Sequence, residues 1–156
     1  MSIKINVDGS SRGAPGDSAI GGLGRSTSGE WLFGFAGRID RGFAISAEIK
    51  AITYGLNLAW NKGYRDVMVE SDSSQAVQFI CRDMVPPIDL IPVIQEFTDL
   101  TNRNWKVEIN HVIREANSCA VILVRSVHQF TMGIQDFDIL PPCLAVALSR
   151  DRIGLG

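Results

Sequence analysis

Three acidic residues stand where the chain could mount chemistry: Asp8, Glu48 and Asp72. Asp8 follows Ile3-Lys4-Ile5-Asn6-Val7, in which β-branched apolar residues alternate with polar ones, as in a strand with one buried face. Gly9 comes next, so the Asp8 carboxylate sits at the strand tip, although Asp-Gly alone also reads as an ordinary turn. Glu48 lies near the start of a helical pattern and borders its apolar stripe. A helical Glu is usually solvated, but one at that border is within reach of a sheet. Asp72 follows the apolar run Val67-Met68-Val69 and is either a second strand-end carboxylate or, with Ser71 and Ser73, a candidate cap for the next helix. If the three converge, physics constrains what they do. Carboxylates about 4 Å apart repel by about 4 kcal/mol per pair at an effective dielectric of 20. Such a cluster takes up protons or binds a divalent cation.

Convergence depends on the elements that carry these residues. After the first strand, residues 10–16 read as a loop. Strands over 19–27 and 31–39 then continue an antiparallel meander. Gly21, Gly22 and Gly24 weaken the middle strand or admit a close neighbour. They do not suit a phosphate-cradling loop, because neither a helix start nor Lys-Ser/Thr follows them. From Ala44 to Lys62 the period changes: Ile45, Ile49, Ile52, Leu56 and Ala59 recur at helical spacing, and Gly63 stops the helix. Val67–Val69 reads as a buried parallel strand, and a helix runs through Ala76–Ile80. Pro86-Pro87 breaks the chain before a helix over 89–102. A fifth strand over 105–113 precedes a helical segment reaching Val127. The order β-β-β-α-β-α-α-β-α is a mixed α/β sheet with helices packed on it. If strands one and four are neighbours, Asp8 and Asp72 meet at one edge, and the first helix can bring in Glu48.

Bulk properties narrow the class. A chain of 156 residues, 46% apolar and 21% charged, is one ordinary globular domain. A formal net charge of -2 argues against a general electrostatic nucleic-acid binder, but not against an enzyme with a local site for nucleic acid. Cys81, Cys119 and Cys143 form no Cys-x-x-Cys pair, which disfavours zinc and disulfide frameworks and suits a reducing compartment. The N-terminus has no signal-peptide core, and no apolar run approaches the ~20 residues of a membrane span. An intracellular protein, cytoplasmic or nuclear, with no membrane partner is expected.

Four short motifs in this order resemble one family: Asn6-Val7-Asp8-Gly9-Ser10, Ala47-Glu48-Ile49-Lys50-Ala51, Val69-Glu70-Ser71-Asp72-Ser73, and His111-Val112-Ile113-Arg114-Glu115-Ala116-Asn117. The chain resembles a ribonuclease H-like domain of the plant type, related to retrotransposon reverse transcriptases, over about residues 3–128. The resemblance implies a five-stranded mixed sheet in a domain spanning 1–128. Residues 129–156 then form a C-terminal tail that packs on the domain or is partly disordered. It also implies a metal-dependent endonuclease that cuts the RNA strand of an RNA/DNA hybrid. Asp8, Glu48 and Asp72 would be both the catalytic residues and the ligands of Mg2+ or Mn2+ in a two-ion site. Gly9, Ser10, Ser11 and Asn117 are the implied substrate-binding positions, with Glu48 also near the 2′-hydroxyl.

One departure matters. The family pattern carries a fourth metal-binding Asp after Arg-Glu-Ala-Asn, and Val121 stands there in this chain. An apolar side chain cannot ligate magnesium, so the ion that activates water loses an anchor. Asp136 and Asp138 are the nearby acids that could replace it. The loop histidine that aids product release in bacterial members is missing, His111 reads as structural, and no basic insertion separates the middle helices. Two functions follow: a hybrid-cleaving nuclease weakened at Val121, or a catalytically impaired module that binds nucleic acid or a protein partner. For a protein partner, Cys143–Leu148 is a possible surface.

Overall fold

The alternation of Ile3, Ile5 and Val7 with polar residues becomes the central strand of a twisted sheet. The computed structural model describes residues 1–128 and 132–152. Its strands are β1 (Ser2–Ser11), β2 (Gly16–Ser26), β3 (Trp31–Gly42), β4 (Asp66–Ser71), β5 (Lys106–His111) and β6 (Gly133–Phe137). The helices are α1 (Ala44–Asn61), α2 (Ser74–Ile80), α3 (Ile91–Thr101), α4 (Ser118–Val127) and α5 (Ala145–Arg152), with single 3-10 turns before α3, α4 and α5. Spatial order is β5-β4-β1-β2-β3-β6. The β1–β2–β3 and β3–β6 pairs are antiparallel, while β4 lies parallel to β1 and β5 parallel to β4. The mixed α/β architecture expected from the sequence is present, with one strand more than the five anticipated.

The two faces of the sheet bury different helices. Ile3, Ile5, Val7, Phe33 and Phe35 face α1, whose Ile49, Ile52 and Leu56 are fully buried against them, with α2 and α3 completing this larger core. Each such aliphatic side chain contributes roughly 1.5–3 kcal/mol. The opposite face is covered by α4, where Leu23 and Ala36 meet Cys119, Ala120 and Leu123. Gly21 makes that packing close: a Cβ there would lie 3.2 Å from the Val124 backbone nitrogen. Gly21, Gly22 and Gly24 are therefore close-approach positions within a strand.

The C-terminal segment adds to both the sheet and the second core. β6 pairs with β3, and Leu144 and Leu148 pack into the layer beside α4. Tyr54 Oη donates to Asp136 at 2.6 Å and Lys62 Nζ to Asp138 at 3.1 Å, tying β6 to α1. Residues 129–131 and 153–156 of the expected tail lie outside the described residues.

Leu144→Ala is expected to lower unfolding free energy by about 2–4 kcal/mol in a denaturant titration. Truncation at the exposed Val146→Ala should change it by less than about 0.5 kcal/mol.

Candidate metal centre

The site begins with the register between β1 and β4. Their parallel pairing runs from Ser2↔Asp66 to Val7↔Ser71, so Asp8 and Asp72 are the next residues on two neighbouring strands. The helix arrives through Gly9. A Cβ there would lie 2.3 Å from the Ala47 carbonyl carbon and 2.5 Å from the Glu48 nitrogen, so only glycine lets the first turns of α1 rest on the strand. The strand does not end at Gly9 as the sequence suggested: pairing with β2 carries β1 on to Ser11, and it is the pairing with β4 that stops at Val7. The contact lays Glu48 over β1 beside Asp8, where the Gly9 N–H donates to its carboxylate. Ser71 Oγ donates to Glu48 from the other side at 3.4 Å. Ser73, not Asp72, caps α2, its hydroxyl accepting from the Ala76 N–H at 3.2 Å, which leaves the Asp72 carboxylate for the cluster.

Asp8, Glu48 and Asp72 each offer a carboxylate oxygen within 4.8 Å of the others. Unscreened by a counter-ion, charges that close repel by roughly 3–4 kcal/mol per pair at an effective dielectric of 20. Asp8 is 3% exposed and Glu48 7%. Burial pushes the Asp8 carboxyl up to about 6, the charge of Asp72 adding to the rise and the hydrogen bond from Glu48 opposing it. Burial, and then the charge of Asp8, hold Glu48 well above the usual carboxylate range. Glu48 thus holds its proton more tightly than a free carboxyl, and in the hydrogen bond it shares with Asp8 it is the donor. The oxygen-only donor set, its charge and its repulsion fit a hard divalent cation such as Mg2+. Arg114 Nη1 meets Asp72 at 3.2 Å and is the cationic side chain at this cleft, a space of about 420 Å³ also lined by Gly9, Ser10, Ser11, Ala44 and Gln75.

The other expected site residues fall differently. Gly9 is buried under α1, and what it offers is its backbone N–H. Ser11 Oγ lies within donating distance of the carbonyls of Gly13 and Gly42, at 2.6 and 2.7 Å, and so is committed to its own loop. Ser10 bonds to His128. Asn117, expected to touch substrate, is instead 1% exposed and internal: its amide donates to the Val7 carbonyl at 2.8 Å and accepts from Asn6 at 3.1 Å. Asn6 also donates to Glu70 at 3.0 Å and accepts from Arg25, so a satisfied polar network lies on β1 just before Asp8. Val121 is buried on α4, one turn beyond Asn117. Asp136 and Asp138 cannot substitute for a missing ligand, because Asp136 lies on β6, an edge strand separated from β1 by β2 and β3, and Asp138 just after it, engaged by Tyr54 and Lys62. His111 ends the edge strand β5, exposed, opposite Ser71. Sequence reasoning did not single out His128, whose partner is 118 positions away, and it quoted Arg114 only as part of a motif.

Comparison with known proteins identifies the family and the fold. The profile of the family described as reverse transcriptase-like matches residues 6–127. An Arabidopsis thaliana protein provisionally named a ribonuclease H protein is 34% identical over 152 residues, covering 97% of this chain. The chain spans about a quarter of that relative, 24% of its length. Ribonuclease H1 of the halophilic archaeon Halobacterium salinarum superposes with a TM-score of 0.77 at 25% identity, over 81% of this chain and 96% of that one. The N-terminal ribonuclease H domain of a Mycobacterium tuberculosis protein gives 0.77 at 24% identity, over 81% and 93%. LC11-RNase H1, solved in complex with an RNA/DNA hybrid, gives 0.75 at 24% identity, over 80% and 95%. Among the described residues no helix is long and apolar enough to cross a membrane.

The raised Asp8 carboxyl binds its proton more tightly in the folded chain than in the unfolded one. Metal-free stability is therefore fullest below the ordinary value of 3.8 and declines as pH rises through about 6. The loss is at most about 3 kcal/mol. Denaturant unfolding in chelator at pH 4.5 and 7.5 should show this fall, Mg2+ should reverse it at pH 7.5, and Asp8→Asn should shrink the fall to the part that the buried Glu48 carries and abolish the response to Mg2+. Gly9→Ala should cost about 1–3 kcal/mol and weaken the response to Mg2+, because α1 must lift off β1.

Proposed function

The chain belongs to the reverse transcriptase-like family of ribonuclease H domains, and from that premise we propose that it is a metal-dependent endonuclease cleaving the RNA strand of an RNA/DNA hybrid, weakened at one metal position. The observation that carries the reading is the convergence of Asp8, Glu48 and Asp72 within 4.8 Å, two of them buried. No core-packing role accounts for three carboxylates so placed, whereas a divalent cation offsets their repulsion. In this reading Asp8, Glu48 and Asp72 hold Mg2+ or Mn2+. A cation so held polarises a phosphoryl oxygen and makes a nucleophile of water near neutral pH. With a cation held there, Glu48 would give up its proton more readily and all three side chains would serve as carboxylates.

The remaining residues shape what enters. Arg114 offsets the charge of Asp72 until a phosphate and its counter-ion arrive, and then stands free at the rim of the cleft. Gly9 brings the backbone close to the acids, and Ser10 lines the approach. Discrimination of hybrid from duplex DNA would rest on the 2′-hydroxyl and minor-groove shape. Val121 sets the ceiling, since α4 contributes no oxygen where the family pattern has its fourth carboxylate. The same substitution favours a second reading, in which the domain binds hybrid without cutting it.

A labelled RNA/DNA hybrid incubated with Mg2+, and separately with Mn2+, tests the proposal. Slow, cation-dependent cleavage of the RNA strand is expected. Asp8→Asn should reduce it by about a hundredfold or more, beyond the 10–100-fold carried by outer-shell contacts in metal sites. Val121→Asp should raise it by about tenfold or more. Equal cleavage by the unsubstituted chain and Asp8→Asn would overturn the enzyme reading, and hybrid binding without cleavage in either cation would support the second.

A further inference from the structure

Two serines follow Gly9 into the cleft, and their hydroxyls are not equivalent. The Ser11 hydroxyl proton is taken by the loop carbonyls of Gly13 or Gly42. The Ser10 hydroxyl has one partner among the described residues, Nε2 of His128, the residue that closes α4. His128 is 7% exposed, and its other ring nitrogen, Nδ1, is buried with no hydrogen-bond partner among the described residues. This arrangement decides the tautomer. A proton on Nδ1 would bury an unpaired N–H, the rarer and costlier defect, whereas an unpaired lone pair there is better tolerated. Arg12 and Arg38 press positive potential on the ring, which favours a lone pair at the buried nitrogen and also lowers its pKa after burial, against Asp17. The proton is therefore assigned to Nε2. Nε2–H donates to Ser10 Oγ, and the Ser10 O–H is left without an acceptor among the described residues, beside the cleft that Ser10 lines with Glu48 and Asp72.

We propose that His128 is a positioning residue for nucleic-acid binding: by donating to Ser10 Oγ, it presents the Ser10 O–H as a hydrogen-bond donor to a sugar or phosphate oxygen of the RNA strand. The inference rests on the hybrid-binding reading above and adds a residue from the far end of α4 to it. The bond His128 gives to the oxygen also polarises the O–H that Ser10 gives on. His128 touches no substrate itself, so its effect on binding must pass through Ser10.

Two measurements test this. Long-range 15N–1H correlation spectra of the ring should show a neutral His128 with its proton on Nε2; a proton on Nδ1 would overturn the proposal. Affinity for a labelled hybrid, and for DNA duplex of the same sequence, should then be read by fluorescence anisotropy with Ca2+ replacing Mg2+. Ser10→Ala and His128→Phe should each weaken hybrid binding by about three- to tenfold, the scale of one hydrogen bond. The double variant should be no weaker than either single one, and His128→Gln, which keeps an N–H donor, should recover most of the loss. Weakening confined to the hybrid assigns the acceptor to the 2′-oxygen, and equal weakening with duplex DNA assigns it to a phosphate. If His128→Phe does not fold, Ser10→Ala and His128→Gln carry the comparison. Additive losses, or hybrid binding indifferent to both single substitutions, would overturn this inference alone. Failure of the unsubstituted chain to bind hybrid would overturn the proposed function together with it.

Discussion

A helix can lie against the end of a strand at backbone distance only where the strand offers no side chain, and Gly9 supplies that condition. Its hydrogen in place of a Cβ lets the Ala47–Glu48 peptide rest on β1. The rest of α1 follows the same line, with Ala47, Ala51 and Gly55 turned toward the sheet and Ile49, Ile52 and Leu56 filling the space beside them. The approach fixes a chemical outcome as well as a packing one. It carries Glu48 onto β1, where the Gly9 N–H is its donor, and sets it beside the two aspartates that follow the last β1–β4 pair, Val7↔Ser71.

That arrangement works against stability. Placing carboxylates together under partial burial raises the free energy of their charged forms, and a protein keeps such a cluster only with a compensating scaffold or ligand. The scaffold here is the polar network of Asn6, Asn117, Glu70 and Arg25, in which each amide of the two asparagines meets a partner. It clamps β1 to β4 and to the start of α4 just below the acids. The strands therefore cannot relax apart, and the repulsion remains as proton uptake by Asp8 and Glu48. A bound cation would remove it.

Much of this was legible in the sequence because it follows local rules. Alternation in Ile3–Val7, the helical recurrence from Ile45 to Ala59 and the apolar run before Asp72 gave strands and helix close to their observed bounds. Bringing the three acids together required only the order of those elements and the short motifs around them, although β1 runs on past Asp8 to Ser11, which the Asp-Gly pair did not suggest. What stayed hidden depends on long-range partners. β6 has a short, weakly alternating sequence, and its pairing with β3 comes from position rather than composition. Asn117 resembled a substrate contact within its motif, yet burial commits its amide to Val7 and Asn6. The cap of α2 could have been Ser71, Asp72 or Ser73, and only geometry chose Ser73. The pairing of His128 with Ser10 leaves no local trace, since neither residue belongs to a pattern that names the other.

The central claim is that Asp8, Glu48 and Asp72 form one cation site rather than three separately solvated acids. Calorimetric titration of the chelated protein with Mn2+, in the absence of nucleic acid, addresses it most directly. One ion per chain, released in parallel by Asp8→Asn and Glu48→Gln, is the predicted result. Either no binding, or binding that survives both substitutions, would contradict it.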